Sequence, residues 1–367
     1  MSDRRAAAVI ARRAWFPQVD EELQTLLQQE GLSLIGVCDA DAGENEISVR
    51  ETEYKTWIAR GHHGSMAFME RHAPLKFQPE GLVPGCKSII FVGINYYQRP
   101  PAPPNAPHGR IARYAWGRDY HKELGKRLVR VARRLGELHP EDRFRSWTDA
   151  TPLSERFYGE RAGIGFTGRN TLLINSELGS WFVVGEILST RRYSPSEDPQ
   201  GRHGACPANC RRCIDVCPTG ALYAAHRIDA SRCISYLTIE HDGIIPEELR
   251  PLMGDWIFGC DLCQEVCPLN VRAQVTDVEN FQKPIAGAQV DLGEILAIRT
   301  DEEFTARFAG SPVMRAKRRG LVRNACIAAA NLNAVALIPA LRELAEDREE
   351  IVAIHARWAL DQLLQPQ

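Results

Sequence analysis

Eight of the 11 cysteines in this 367-residue chain fall between Cys206 and Cys267, and two of the runs they form end in proline. The first reads Cys206-Pro-Ala-Asn-Cys210-Arg-Arg-Cys213-Ile-Asp-Val-Cys217-Pro218. The second reads Cys260-Asp-Leu-Cys263-Gln-Glu-Val-Cys267-Pro268, with Cys233 between the two. A cubane of four irons needs four thiolates arriving from different directions; a Cys-x2-Cys loop supplies neighbours and a distant cysteine closes the site. In the two-cluster pattern the cysteine before the proline serves the other cluster. The spacing therefore assigns Cys206, Cys210, Cys213 and Cys267 to one 4Fe-4S cluster, and Cys217, Cys233, Cys260 and Cys263 to a second. Cys206 departs from the usual Cys-x2-Cys step by one residue, which must bulge out, and Pro207 can hold such a bulge. Zinc would want two closed groups of four, and a disulfide framework suits a short secreted chain. Cys38, Cys86 and Cys326 lie in apolar stretches and read as buried, inert thiols.

A second segment could do acid chemistry. In Trp147-Thr-Asp149-Ala-Thr-Pro152-Leu-Ser-Glu155, Thr151 reads as an N-cap and Pro152 as the first helical residue, so Asp149 stands just outside a helix N-terminus. Spacing alone leaves two readings open for it, an Asx-turn residue that shapes the loop or a functional acid. Gly163-Ile-Gly165-Phe-Thr-Gly168 matches the dinucleotide fingerprint in letters only. These glycines follow a helix and lead into a strand, whereas a phosphate-binding turn needs the strand first. They are read instead as allowing backbone to approach something flat or bulky.

These residues need a scaffold, and the fold class expected is α+β. The hydrophobic fraction of 44% supports real cores, and a formal charge of -2 gives no global pull toward nucleic acid. Strand-like runs at Leu32–Cys38, Ser88–Ile94 and Trp181–Leu188 alternate with helical stretches such as Tyr120–Leu138 over residues 1–195, an α/β layer domain. The segment Arg99–Pro107 is a proline-rich loop, and a polar link at Tyr193–Gly204 leads into a ferredoxin-like cluster domain at 196–280. Amphipathic helices at Arg315–Leu332, Ala334–Glu346 and Glu349–Leu364 give a helical-repeat domain at 281–367. No apolar run approaches the roughly 18 residues of a membrane span. The N-terminal stretch between Arg4-Arg5 and Arg12-Arg13 is too short for an export signal, so a surface helix or tail and a cytoplasmic protein are expected.

Six motifs, in order along most of the chain, together resemble epoxyqueuosine reductase. They are Tyr114-Ala-Trp-Gly-Arg-Asp-Tyr-His121, Asp149-Ala-Thr-Pro152, the run Arg161–Thr171, Arg232–Glu240, Ile245–Arg250 and Phe258–Pro268. The resemblance implies cobalamin and two 4Fe-4S clusters acting on epoxyqueuosine in the anticodon loop of a tRNA to give queuosine, with electrons from an external donor. It also implies a nitroreductase-like cobalamin-binding first domain and HEAT-like C-terminal repeats, in a chain expected to act as a monomer. Carried onto matching positions, it makes Asp149 the proton donor and a cofactor contact, and Arg71 an early cobalamin contact. Leu173, Val184 and Ile187 line the corrin, and Ser235 and Asp261 lie where cofactor and cluster meet. A cobalamin-dependent reductive dehalogenase would share the cofactors but lack the C-terminal helices; an electron carrier or tRNA-binding scaffold would not need so large a first domain.

Removing an epoxide oxygen to leave an alkene consumes two electrons and two protons, and a cluster passes electrons singly. Alkoxide leaves poorly, so a positioned acid is worth roughly 10²- to 10⁴-fold. Asp149, pressed between a corrin face and an apolar wall, is expected to hold its proton through desolvation. For tRNA, Arg315, Arg318, Arg319 and Arg323 are spaced to form one helical stripe that grips phosphates, with Lys317 pointing elsewhere.

Overall fold

The computed structural model describes residues 19–32, 34–102, 104–196 and 204–365. The basic N-terminal stretch and positions 197–203 of the expected link lie outside the described residues. The central element is a four-stranded sheet in which Leu34–Asp39, Ser88–Asn95, Phe182–Ser189 and Phe144–Trp147 are neighbours in that order, all antiparallel. An antiparallel sheet with helices packed on it is α+β rather than doubly wound. Both faces are covered, which explains why Ser88–Asn95 is apolar almost throughout.

Alternate residues of each strand serve opposite layers. Ile35, Val37, Ile90, Val92 and Ile187 pack under the helices Glu21–Gln29 and Tyr120–Leu138, against Leu23, Leu27, Leu124, Leu128, Val131 and Leu135. The spacing of Leu124, Leu128, Val131 and Leu135 keeps them on one helix face, and the Asp119 side chain caps the start by accepting from His121 N–H. On the opposite side Leu34, Cys38, Ile89, Phe91, Phe182 and Leu188 meet Phe77, Phe157 and Tyr158. Cys38, Cys86 and Cys326 are buried, as expected of inert thiols.

A second, three-stranded sheet joins distant parts of the chain. His108–Ile111 is its centre, parallel to Trp256–Phe258 and antiparallel to Gln289–Asp291. One core therefore contains Ile111, Ile257, Phe258 and Val290 together with Leu321, Val322 and Ala325 of the C-terminal helices. This core runs across the boundaries expected at 195 and 280. Buried Arg113 ties the first two segments further, donating to Gln98 O at 3.0 Å and pairing with Asp261 at 3.4 Å beneath the Trp181 ring.

The C-terminal helices run Lys317–Asn331, Ile338–Leu344 and Glu350–Leu364. Their packing corrects the expected arginine stripe. Arg318 is 1% exposed, donating to Ile298 O and ion-paired with Asp347, and Arg323 is 0% exposed. Arg323 donates to the carbonyls of Leu237, His241 and Gly243 at 2.6–2.8 Å. Protein packs around this helix on more than one side, so these two guanidinia are structural. Arg315 and Arg319 reach the surface, paired with Glu240 at 2.9 Å and Asp242 at 2.5 Å. Among the described residues no helix is long and apolar enough to cross a membrane.

Candidate active site

Asp149 sits in the loop between the strand Phe144–Trp147 and the helix Glu155–Arg161, with φ +48°, the left-handed region that a non-glycine residue seldom enters. The helix starts later than the sequence implies. Thr151 Oγ1 accepts from Leu153 N–H at 2.9 Å in a tight turn, and Ser154 N–H donates to Lys76 O at 2.9 Å before the helix begins at Glu155. Thr151 thus shapes the turn and is not the helix cap, and Asp149 is held at the turn's tip.

The Tyr120 hydroxyl donates to Asp149 Oδ2. His121 Nε2 lies 3.6 Å from the same oxygen, its ring stacked on Tyr120 at 4.1 Å and its Nδ1 held 2.8 Å from Asp119 Oδ1. Burial alone would lower the His121 pKa, but the two carboxylates outweigh it and push it up to about 9. Tyr120 is raised by burial and by the Asp149 charge, which keeps its proton on the hydroxyl. The Asp149 side chain is 54% exposed. The protein alone does not supply the desolvating wall expected around this carboxyl.

Behind Asp149 stand two more carboxyls, Glu186 buried and Glu155 half-buried with one oxygen enclosed. Burial, then the charge of Asp149, pushes Glu155 up to about 8; burial, then the charge of Glu155, raises Glu186 well above the usual carboxylate range. Glu186 is 0% exposed, and neither of its carboxyl oxygens has a hydrogen-bond partner.

Tyr120, Asp149 and Glu155 border a cavity of about 520 Å³. Asp149, Leu173, Val184, Ser235 and Asp261 line it, with Cys217, Cys233, Cys260 and Cys263 on the cluster side. Two expected contacts are absent from the lining. Ile187 stands three residues after Val184, an odd offset that turns its side chain to the opposite face of the sheet, where it packs under the 120–138 helix. Arg71 is exposed on the helix Ala67–His72, which buries none of its residues. Asp261 is buried, accepts from Arg113 N–H at 2.8 Å, and is raised by burial to about 6.

The other four thiols, Cys206, Cys210, Cys213 and Cys267, surround a separate small cavity of about 20 Å³. These two groups contain the same residues as the sequence assignment. Cys206 joins its group despite the irregular step because Cys210 N–H closes a turn onto Pro207 O at 3.1 Å and Asn209 takes φ +57°, a conformation asparagine tolerates. Arg169 N–H points at Cys206 Sγ, 3.3 Å away. Among the described residues no three His, Cys, Asp or Glu side chains converge as one metal ion requires. The glycines after the 155–161 helix approach the chain itself and not a ligand: a Cβ on Gly165 would lie 2.5 Å from Ile174 O.

A cobalamin in the larger cavity fits the donor set there. Asn170, whose Nδ2 is buried without a partner, stands between the two cavities and lines both, so it offers an unsatisfied donor at the boundary between the cofactor cavity and the second thiol group. Tyr96, Tyr114 and Phe182 supply apolar wall.

Residues 206–270 match a 4Fe-4S double cluster binding domain, and residues 76–150 match the family described as epoxyqueuosine reductase QueG, DUF1730. Epoxyqueuosine reductase of Xanthomonas campestris is 38% identical over 93% of this chain and 95% of its own length. That of Escherichia coli is 36% identical over 94% and 90%. The chain belongs to the epoxyqueuosine reductase family. It is accordingly an oxidoreductase of queuosine biosynthesis that reduces epoxyqueuosine in tRNA, with a module for two 4Fe-4S clusters. Solved epoxyqueuosine reductases superpose over 94% of this chain and 90% of theirs at 29% identity. One, bound to an epoxyqueuosine-modified tRNA stem loop, gives TM-score 0.86. Another, from Bacillus subtilis with its catalytic aspartate loop swung out of the active site, gives 0.82.

Sequence reasoning missed the reductase's Tyr120–His121 pair, Glu155, Glu186 and Asn170. Tyr120 and His121 stood inside a quoted motif, and adjacent proton-bearing side chains one residue after an aspartate were a usable signal. Glu186 gave none, because a carboxyl inside Val-Val-Gly-Glu-Ile-Leu reads as the polar phase of a half-exposed strand.

Proposed function

We propose that this reductase binds cobalamin in the cavity between Asp149 and the thiols Cys217, Cys233, Cys260 and Cys263, and that Asp149 donates a proton to the epoxide oxygen as the C–O bond opens. One observation carries the reading: a single cavity is lined by Asp149 on one side and by all four of those thiols on the other. The two thiol groups hold the two clusters, which take electrons singly from an external donor. When bound, cobalamin supplies the reducing centre that acts on the epoxide carbon. Leu173, Val184 and Phe182 would form an apolar seat for it, Asn170 would hydrogen-bond to it, and Ser235 and Asp261 would stand at its cluster side. Tyr120 and His121 orient the Asp149 carboxyl and keep protons at its oxygen.

The catalytic loop described for the Bacillus subtilis relative supports a mobile aspartate, and the strained φ of Asp149 fits a loop with two positions. The tRNA stem loop held by a relative supports an RNA partner for this chain. Arg315 is the basic residue retained for it, since it is exposed and close enough to Asp149 to feel its charge; Arg319 is a second contact. The reading extends to a nitroreductase-like fold over 1–195, a ferredoxin-like cluster domain over 196–280 and HEAT-like repeats over 281–367, in a monomeric cytoplasmic enzyme.

The test is anaerobic turnover of epoxyqueuosine-containing tRNA with a chemical reductant, with and without cobalamin. Turnover and a corrin absorption band that both require added cobalamin are expected. Full turnover without any corrinoid would overturn the assignment.

A further inference from the structure

Glu186 is hard to explain as packing. It lies in the strand Phe182–Ser189 in register with Trp147, the residue that leads into the Asp149 loop. It shares a strand face with Phe182 and Val184, both of which line the cavity. Its two oxygens are fully buried with no close hydrogen-bond partner, the Thr151 hydroxyl standing nearby, and one oxygen of Glu155, which itself lines the cavity, is also buried and unpartnered. An ionised carboxylate left in this way costs several kcal/mol, whereas a protonated one costs far less and carries a transferable proton. The charged groups facing the pair are Asp149 from the loop, Lys76 from the segment before the second sheet strand, and Arg156 from the same helix as Glu155. Lys76 and Arg156 favour the ionised form of Glu155, but burial and the charge of Asp149 outweigh them.

We propose that Glu155 and Glu186 form a protonated carboxyl pair that recharges Asp149 and so supplies the second of the two protons consumed per turnover. The proposal rests on the reading of Asp149 as the acid. The balance is epoxide plus two electrons plus two protons to alkene plus water, the electrons coming singly from a low-potential donor through the clusters. The first proton moves from the Asp149 carboxyl to the epoxide oxygen as one C–O bond breaks. The second passes from Glu155 to the Asp149 carboxylate and on to that oxygen, which leaves as water when the other C–O bond breaks and the alkene forms. Glu186 then reprotonates Glu155, and solvent restores the pair between turnovers. Glu155 and Glu186 are positioning and proton-holding residues that act through Asp149.

The holoenzyme and its Glu155→Gln and Glu186→Gln variants are compared by infrared spectroscopy and by the pH profile of turnover. The parent is expected to show protonated-carboxyl C=O absorption at neutral pH that fades as pH rises through about 8, each variant lacking one component. Glu155→Gln should lose about 10- to 100-fold in turnover and the alkaline limb of the profile, with iron content and corrin absorption unchanged. Asp149→Asn should lose turnover while keeping the infrared bands. Absence of those bands in the parent, or parental turnover and pH profile in both Gln variants, would overturn the relay. Normal turnover by Asp149→Asn would overturn the acid reading, and with it the route through that residue, whatever the bands show.

Discussion

Asp149 occupies a backbone conformation that a loop adopts only under constraint, and its neighbours Tyr120 and His121 stand at its carboxyl oxygen. Replacing it by asparagine keeps the shape and the hydrogen bond from Tyr120 but removes the acid. Turnover should fall at least ~100-fold while cluster and corrin spectra persist; near-normal turnover would exclude the role. At Cys206, serine should cut iron from about eight toward about four per anaerobically purified chain, since its thiol belongs with Cys210, Cys213 and Cys267. Unchanged iron would mean that another group fills that position. The thiol grouping was legible because cluster ligation imposes local spacing that sequence displays directly. Ile187 was misplaced for an equally local reason: the strand was recognised, but not which alternate residues faced the cavity.

At the scale of elements, the helix Lys317–Asn331 shows what a helical wheel leaves out. Spacing says which residues share a face, not whether the face meets water or protein. Arg318 and Arg323, five residues apart, leave the helix on different sides, and protein covers both: Ile298 and Asp347 meet the first, the 237–243 segment the second. Arg323→Ala would leave the carbonyls of Leu237, His241 and Gly243 without their donor, in a helix-to-cluster contact that Asn324 and His355 reinforce through Thr238 O, Ile257 O and Ile245 N–H. A loss of about 3–5 kcal/mol in unfolding free energy is expected, from buried carbonyls left unsatisfied at about 1–3 kcal/mol each, measured by denaturant titration of the holoprotein. The same melt in Arg319→Ala should move by less than about 1 kcal/mol, because its pairs are at the surface. A variant of Arg323 as stable as the parent would remove the docking role.

For the whole molecule, the buried carboxyls set a pH dependence whose sign follows from linkage. Glu155 and Glu186 bind protons more tightly folded than unfolded, so their contribution to stability is complete below the ordinary glutamate range near 4.5; that of Glu155 is lost as pH rises through about 8, and that of Glu186 is lost in the same direction as pH rises. Glu186→Gln should flatten the fall in melting temperature across that window and raise stability at its alkaline end. A parallel fall in both proteins would contradict it. None of this was readable beforehand, because burial of a charge is decided by strands far apart in sequence.

The sheet centred on His108–Ile111 imposes an order on biogenesis. That strand leaves the ribosome long before either partner, Trp256–Phe258 or Gln289–Asp291, has been made. All eight cysteines of the cluster segment precede Gln289 in the chain, so they emerge before the sheet can close over them. Iron-sulfur loading therefore has a natural window during synthesis, when the thiols are accessible and the central strand still has open edges. A fragment ending at residue 280 would be held in that window permanently, with an unpaired strand edge exposed to aggregation. Heterologous production limited by iron supply would then be expected to fail by precipitation of the nascent product, before it fails by loss of colour.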